Sequence, residues 1–384
     1  MATTLPQSFR DDLPEGEWDF FVRSPGRINL IGEHLDYNGG SVLPAAIDLA
    51  IYFAVRKREV PNIQLHALDL GQSVMIVPTQ DQPSGIQWAD YLLGICREFR
   101  LLGHTIPPLE IALGGDLPSG AGVSSSAALE GGMAFLLNEV LQAELDRMQL
   151  ARLCQRSSNH FLGIPTGIMD QFASLHGQAG KALLLDTATM KYEEIPANLP
   201  GYSWVLINSM IKHDISAGEY KERVDECQMA LQMIQQKFPD CKYLAQASPG
   251  KIKSVDKLAP NCRDRAMYVA HEQYRVADAA KILQEDHPVR IGQLLNSTHK
   301  GLRDQYEVSC EEVDFLQSFA EAHEGVKGSR IMGGGFGGCT LNLVSDEQVN
   351  FFVEDVKRAY LWKYKIEAQA IPVRIANGTE LIEA

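Results

Sequence analysis

The sequence predicts an α+β protein built from two domains. Its 384 residues are enough for two units or for one large core. Runs of β-branched and aromatic residues dominate the first part of the chain, and helical apolar periodicity dominates from Gly218 onward. Glycine-rich segments separate predicted strands and helices in both parts. These patterns favour strands and helices in each of two units.

The predicted elements of the first part begin after a polar, acidic segment. We expect residues 1–18 to form a mobile or loosely docked N-terminal arm. Three runs between residues 20 and 68 (FFVRS, AIYFAVRKREV and IQLHAL) predict strands. Apolar spacing predicts a helix over Trp88 to Leu101, and a strand is predicted over Leu109 to Pro118.

The middle and last parts are predicted to be richer in helices. Helices are expected from the serines near residue 125 and over Leu145 to Phe161, and KALLLD and YSWVLINS predict strands. Helices follow from Gly218, then a glycine loop with a strand, one more helix and a closing strand, AQAIPVRIA. We place the domains at residues 19–200 and 201–384.

Composition narrows the class of protein. The formal net charge of −14, from 35 basic and 49 acidic residues, argues against a general nucleic-acid surface. Seven scattered cysteines without a CxxC pair are typical of reduced thiols, and no apolar run approaches the ~20 residues of a membrane span. We therefore expect a cytoplasmic protein without nucleic-acid or membrane partners.

The densest group of chemical side chains lies in SPGRINLIGEHLDYNGGSVLP, Ser24 to Pro44. Arginine, two carboxylates, an imidazole and a phenol fall within eleven residues, at Arg27, Glu33, His34, Asp36 and Tyr37. Carboxylates accept hydrogen bonds from hydroxyls, and arginine stabilises developing negative charge. The segment suits a polyhydroxylated ligand, whereas the alternative is a polar surface loop.

A second segment has the composition of a phosphate-binding loop. The residues Gly120, Ala121, Gly122, Val123, Ser124, Ser125 and Ser126 stand between a predicted strand and a predicted helix. Free N–H groups at a helix start attract anions, and a serine hydroxyl can bind phosphate or Mg²⁺. The alternative is an ordinary serine cap.

A third segment, GGGFGG at Gly333 to Gly338, precedes a predicted strand rather than a helix. It therefore fits a dinucleotide-binding fingerprint poorly. It is either a tight structural turn or a second wall of a nucleotide site. The chain has no GxxxxGK[ST] motif and no HRD or DFG set.

The three motifs in this order (PGRINLIGEHLDYNGG, LPSGAGVSSSAAL and SRIMGGGFGGCT) resemble the GHMP small-molecule kinases, and the first resembles their galactokinase branch. Further agreement lies in WADYLLG, GIMDQFASLHG, GEYKERVDEC and GLRDQYEVSCEEVD. The resemblance implies a two-domain GHMP kinase fold with mixed sheets, flanking helices and an active site between the domains. It also implies transfer of the γ-phosphoryl group of ATP to O1 of galactose with Mg²⁺, and no required protein partner.

The resemblance also implies a role for individual residues. Asp170 would be the catalytic base, and Arg27 would face it and stabilise the alkoxide. The sugar contacts would be Glu33, His34, Asp36, Gly167 and Tyr220. Residues 120–126 would bind phosphate, with Ser125 nearest the metal, and Trp88 and Tyr91 would lie beside adenine, although core packing is the alternative for both aromatics.

Two positions depart from the family pattern. Leu35 replaces the threonine typical of galactokinases, where N-acetylgalactosamine kinases have isoleucine. Ser158 replaces a usual glutamate that is a candidate metal contact. The alternatives are therefore a 1-kinase for N-acetylgalactosamine or another hexose, and an inactive sugar- and ATP-sensing relative, against which the intact serine loop and Asp170 argue.

Overall fold

The computed structural model describes residues 4–118, 120–212 and 217–383. Ser119, in the predicted phosphate loop, lies outside the described residues. The strands are β1 Phe20–Asn29, β2 Ser41–Val42, β3 Pro44–Lys57, β4 Ile63–Ala67, β5 Gln72–Ile76, β6 Leu109–Gly115, β7 Lys181–Asp186, β8 Lys191–Pro196, β9 Tyr202–Lys212, β10 Val326–Ile331, β11 Gly337–Ser345, β12 Gln369–Val373 and β13 Glu380–Ile382.

Helices occur in both halves of the chain. They are α1 Gln7–Asp11, α2 Gln87–Leu101, α3 Ser125–Leu141, α4 Arg147–Arg156, α5 Met169–His176, α6 Ala217–Lys237, α7 Pro249–Lys253, α8 Pro260–Gln284, α9 Pro288–Asp304, α10 Glu311–Ala322 and α11 Val349–Tyr364. A π-helical turn, Ser157–Phe161, continues α4. The helix predicted over Leu145 to Phe161 is thus divided, and the one predicted from Trp88 begins one residue earlier.

In the described part of the chain the strands form three sheets. The orders are β13-β1-β3-β6-β4-β5, β10-β11-β9-β12 and β2-β7-β8. The first sheet is mixed because β4 runs parallel to β6 while its other pairs are antiparallel. Strand β13, residues 380–382, pairs with β1 in the first sheet. These residues belong to the predicted second domain, 201–384, so that domain contributes a strand to the sheet of the first. The division at residue 200 stays a prediction.

Alternation along β3 places successive side chains on opposite faces of the first sheet. Phe53 and Val55 point into the main core, which continues into the helices of the second half. Tyr52 points to the other face and meets Phe9, with ring centroids 5.9 Å apart. Leu5 and Phe9 are only 4% exposed, so the N-terminal arm is docked more firmly than expected.

The connections between elements bring the three sequence motifs together. The first motif covers the end of β1 and the turn after it. The second connects β6 to α3, and the third connects β10 to β11. Asp170 stands in the first turn of α5. These loop and helix ends contact one another, as the hydrogen bonds Arg27–Asp170, Gly333–Glu33 and Cys339–Ala121 show.

Candidate active site

Arg27 and Asp170 form a two-point ion pair at the centre of the site. Arg27 Nε donates to Asp170 Oδ1 at 2.8 Å, and Nη2 donates to Oδ2 at 2.7 Å. The third guanidinium nitrogen, Nη1, donates to the Gly122 carbonyl at 2.6 Å. Burial lowers the pKa of Arg27, but the charge and hydrogen bond of Asp170, together with the charges of Glu33 and Asp36, outweigh this effect and the pKa is raised. Arg27 is therefore a fixed positive charge beside the carboxylate.

The serine–glycine loop wraps around this ion pair. Gly120 and Gly122 have positive φ angles of 75° and 72°, and Ser124 is left-handed at 59°. The Val123 carbonyl accepts a bond from the Arg27 backbone N–H at 3.0 Å. The Ser124 hydroxyl donates to Asp170. Helix α3 then begins at Ser125, which gives the loop a helix N-terminus.

A cavity of about 260 Å³, here called the acidic cavity, opens beside Asp170. Its volume lies just below the range of about 300–1,000 Å³ that is usual for small-molecule pockets. The predicted residues that line it are Arg27, Glu33, His34, Asp36, Asp170 and Tyr220. Ile164, Pro165, Thr166 and Met169 line it too and were not predicted. The sequence offered no signal for them, because apolar and small polar side chains carry no chemistry of their own.

Gly167 contributes by lacking a side chain. A Cβ at this position would lie 1.6 Å from Asp36 Oδ2, so only glycine allows Asp36 its position. Burial, reinforced by the Asp170 charge, raises the pKa of Asp36 to about 7. Asp36 therefore titrates near neutral pH at the wall of the acidic cavity.

Glu33 is held by groups from both halves of the molecule. Arg330 Nη1 donates to Glu33 Oε1 at 3.0 Å, and the Gly333 backbone N–H donates to the same oxygen at 2.9 Å. Asn29 Nδ2 donates to Oε2 at 3.0 Å. Arg330 and Asn29 were not predicted as site residues, although both lie within motifs that the sequence singles out. The carboxylate is thereby oriented before any ligand binds.

His34 is buried in the cavity wall in a left-handed conformation, with φ of 62°. Burial lowers its pKa to about 4, so the imidazole is neutral at neutral pH. Nδ1 lies 2.8 Å from the Tyr37 hydroxyl. The ring also contacts that of Tyr220, at 5.8 Å between centroids.

A second cavity of about 430 Å³, here called the tryptophan cavity, lies on the other side of the serine loop. Trp88 and Ser125 both line it. Trp88 Nε1 donates to Gln72 Oε1 at 3.0 Å. Tyr91 is not brought to this cavity; it lines a separate depression with Leu162 and Ile164. Residues three apart on a helix are neighbours on one face, yet Trp88 and Tyr91 line different cavities.

The third motif approaches the serine loop closely. A Cβ on Gly122 would lie 3.7 Å from the Met332 carbonyl, and one on Gly333 would lie 3.8 Å from the Gly122 carbonyl. The Cys339 thiol donates to the Ala121 carbonyl at 2.8 Å. Of the two interpretations of GGGFGG, this packing favours a second wall beside the phosphate loop.

Ser158 does not line either named cavity. Its hydroxyl donates to Glu130 Oε1 at 2.6 Å, and Gln171 Nε2 donates to Oε2 at 3.1 Å. Burial raises the pKa of Glu130 to about 7. Glu130 was not predicted as a buried residue, because a single glutamate within a helix usually faces solvent.

The fold and the site together define a small-molecule kinase of the GHMP type. The chain matches three family models: the galactokinase galactose-binding signature over residues 7–57, the GHMP kinases N terminal domain over 90–178 and the GHMP kinases C terminal over 279–361. A structure described as mevalonate kinase, 18% identical, matches with a TM-score of 0.67 over 94% of this chain and all of that one, and this likeness shows the fold alone.

Relatives with higher sequence identity show which family of GHMP kinases the chain belongs to. A galactokinase from Clostridium beijerinckii is 38% identical over 94% of both chains, and one from Bacillus subtilis is 35% identical over 98% of both. The crystal structure of Lactococcus lactis galactokinase complexed with galactose, 31% identical, matches with a TM-score of 0.92 over 97% of this chain and 98% of that one. The chain belongs to the galactokinase family and is an ATP-dependent sugar kinase, a phosphotransferase. Within residues 4–118, 120–212 and 217–383, no helix is long and apolar enough to cross a membrane.

Proposed function

We propose that this chain transfers the γ-phosphoryl group of ATP to O1 of galactose, giving galactose 1-phosphate and ADP. The observation that carries the proposal is the arrangement around two consecutive serines. Ser124 donates to Asp170 beside the acidic cavity, and Ser125 lines the tryptophan cavity. An acceptor in the first cavity and a nucleotide in the second would therefore meet at the start of α3.

The residues of the acidic cavity suit the acceptor. Galactose presents hydroxyls to Glu33, His34, Asp36 and Tyr220, which offer both hydrogen-bond acceptors and donors. Asp170 takes the proton from the O1 hydroxyl as that oxygen attacks in line. Arg27 lies against the same carboxylate and stabilises the negative charge that develops on O1.

The residues around the tryptophan cavity suit ATP. The N-terminus of α3 presents backbone N–H groups and the positive end of its dipole to the phosphates. Trp88 offers an apolar ring to the adenine from the cavity wall. Holding both reactants in line supplies most of the rate, because phosphoryl transfer needs little covalent help from a protein.

The side chains at this junction fit Mg²⁺. Ser125 lines the tryptophan cavity at the start of α3, and its hydroxyl is an oxygen ligand of the type that Mg²⁺ takes together with phosphate oxygens and waters. When bound, Mg²⁺ would neutralise charge on the phosphates. Ser158 is occupied by Glu130, so we assign the protein contact to Ser125.

The decisive experiment measures ADP release with Asp170→Asn. We expect turnover to fall at least about a hundredfold, because the substitution removes the proton acceptor. Binding of galactose, followed by calorimetry, should remain. Asp314→Asn is a matched control, since Asp314 also accepts from a serine, Ser309, and pairs with a basic side chain, His299. Turnover within about tenfold of the wild type would show that Asp170 is not the base.

The same assay run on a panel of sugars separates the alternative substrates. Galactose, glucose, N-acetylgalactosamine and galactosamine differ at C2 or C4. Leu35, which raised the question of the 2-substituent, is fully buried in the core and does not line the acidic cavity. We expect galactose to be the best substrate, because residues 7–57 match the galactokinase galactose-binding signature. A higher kcat/KM for N-acetylgalactosamine would assign the chain to that substrate instead.

A further inference from the structure

A continuous chain of hydrogen bonds leads from the acidic cavity into the interior. His34 Nδ1 lies 2.8 Å from the Tyr37 hydroxyl, which lies 2.8 Å from the Tyr306 hydroxyl. The Tyr306 hydroxyl lies 3.1 Å from the Cys227 sulfur. Tyr306 and Cys227 are fully buried in the second half of the chain. The sequence placed Tyr37 in the first motif, but no role was assigned to Tyr306 or Cys227.

The far side of the His34 ring is unsatisfied. Nε2 is buried and makes no hydrogen bond to any described residue. The Gly334 carbonyl lies beside the ring and favours a proton on it. Because Nδ1 already faces the Tyr37 hydroxyl, that carbonyl favours a proton on Nε2. A lone pair there would instead be buried against a carbonyl oxygen.

The charge state of His34 makes the placement of this proton important. Burial lowers its pKa to about 4, so at neutral pH the ring carries a single N–H. If the proton is on Nε2, Nδ1 accepts from Tyr37, Tyr37 accepts from Tyr306, and Tyr306 accepts from the thiol of Cys227. Burial raises the pKa of Cys227 to about 11, so the thiol keeps the hydrogen that it donates. Nδ1, the two hydroxyls and the thiol then each have a partner, and Nε2–H is left to bind a ligand.

We infer that Tyr37 and Tyr306 are positioning residues that hold His34 with its hydrogen on Nε2, so that His34 donates a hydrogen bond to a hydroxyl of the bound sugar. This inference rests on the proposed function, since it takes the ligand of the acidic cavity to be a sugar. A hydroxyl that accepts from His34 can donate to a carboxylate such as Glu33 or Asp36, which line the same cavity. The arrangement favours a hydroxyl over a group that can only accept or only donate.

Nitrogen-15 NMR of the protein without ligand tests the proton placement directly. The His34 signals are assigned by their loss in His34→Asn, a residue that tolerates the left-handed conformation. We expect the Nε2–H tautomer in the wild type and a mixture of tautomers in Tyr37→Phe. The Nδ1–H tautomer in the wild type would overturn the inference.

Kinetics test the consequence for the sugar. Tyr37→Phe and Tyr306→Phe should each raise the KM for galactose about three- to tenfold, the effect of one weakened hydrogen bond, and leave the KM for ATP within about twofold. Tyr360→Phe is the matched control, because its buried hydroxyl donates to the Ser209 carbonyl in another part of the core. Equal changes in both KM values, or equal effects of Tyr360→Phe, would mean that the tyrosines have only a structural role.

Deoxygalactoses identify the hydroxyl that His34 contacts. The deoxygalactose that lacks this hydroxyl should bind the wild type and Tyr306→Phe equally well. Every other deoxygalactose should bind Tyr306→Phe more weakly than the wild type, by the same factor as galactose does. A loss of equal size for every deoxygalactose would contradict the inference. If the wild type does not phosphorylate galactose but shows the Nε2–H tautomer, the proposed function fails and the proton placement stands.

Discussion

At the scale of single residues, Asp36 is a source of pH dependence in the acidic cavity. Its pKa is raised to about 7 by burial and by the negative charge of Asp170. Above this pH the carboxylate is ionised and accepts hydrogen bonds from sugar hydroxyls. Below it the group is protonated and loses acceptor capacity. Arg27 and Glu33 also face the cavity and share its field.

We predict that kcat/KM for galactose falls as the pH drops below 7, by up to about tenfold per pH unit, because this ratio reports groups of the free enzyme. Asp36→Asn should lower kcat/KM at pH 8 and should remove most of the fall below pH 7, which is the acid limb of the pH profile. Steady-state kinetics across the pH range give the comparison. Glu130→Gln should keep this dependence, since Glu130, whose pKa is also raised to about 7, does not line the acidic cavity. An acid limb that persists in Asp36→Asn would assign it to another group.

At the scale of elements, a buried acid joins three helical segments. Glu130 of α3 accepts from Ser158 of the π-helical turn and from Gln171 of α5. Its pKa of about 7 lies above the ordinary 4.5, so the native state holds the proton more tightly than the unfolded chain. Stability is therefore lost as the pH rises from about 4.5 to 7.

We predict that Glu130→Gln removes this part of the pH dependence. The variant should gain about 2–3 kcal/mol relative to the wild type between pH 5 and pH 7.5, as expected for a carboxyl whose pKa is raised from 4.5 to about 7 by folding. Urea unfolding at both pH values measures the change. Glu139→Gln on the exposed face of the same helix is the control and should change neither value. A gain that does not depend on pH would exclude titration of Glu130.

The elements also show where sequence patterns were sufficient. Helix α2 and strand β6 were predicted within a few residues because their periodicity is strong. Helix α1, of five residues, and β13, of three, were not predicted, since so short a stretch has no measurable period. No helix was predicted at α5, where the sequence showed only the motif GIMDQFASLHG, although the first turn of this helix carries Asp170.

At the scale of the whole molecule, Arg330 joins the second sheet to the first motif. It is fully buried and donates to the carbonyls of Asn29 and Leu30 as well as to Glu33. Strand β10, which carries Arg330, is thereby attached to the end of β1. Loss of the guanidinium would leave the Glu33 carboxylate buried without its charged partner.

We predict that Arg330→Met lowers the free energy of unfolding by about 3–5 kcal/mol, the usual cost of removing one partner of a buried pair. Galactose binding should weaken as well, because Glu33 loses its orientation. The urea midpoint measures the first effect. Arg290→Met is the control: its ion pair with Glu285 is more than half exposed, and a change within about 0.5 kcal/mol is expected. A loss below about 1 kcal/mol for Arg330→Met would show that β1 and β10 are held by packing alone.

The sequence by itself determined the chemical groups, the three motifs that carry them, and the family to which the chain belongs. Only the tertiary structure decided which groups meet. Arg27 and Asp170 are 143 residues apart, and Glu33 and Arg330 are 297 apart. Periodicity and turn signals act over a few residues, whereas such pairs depend on the path of the whole chain. The same cause explains three further findings that only the structure revealed. Tyr91 and Trp88 line different cavities, the Ser158 hydroxyl bonds to Glu130, and a chain of hydrogen bonds extends from His34 into the core.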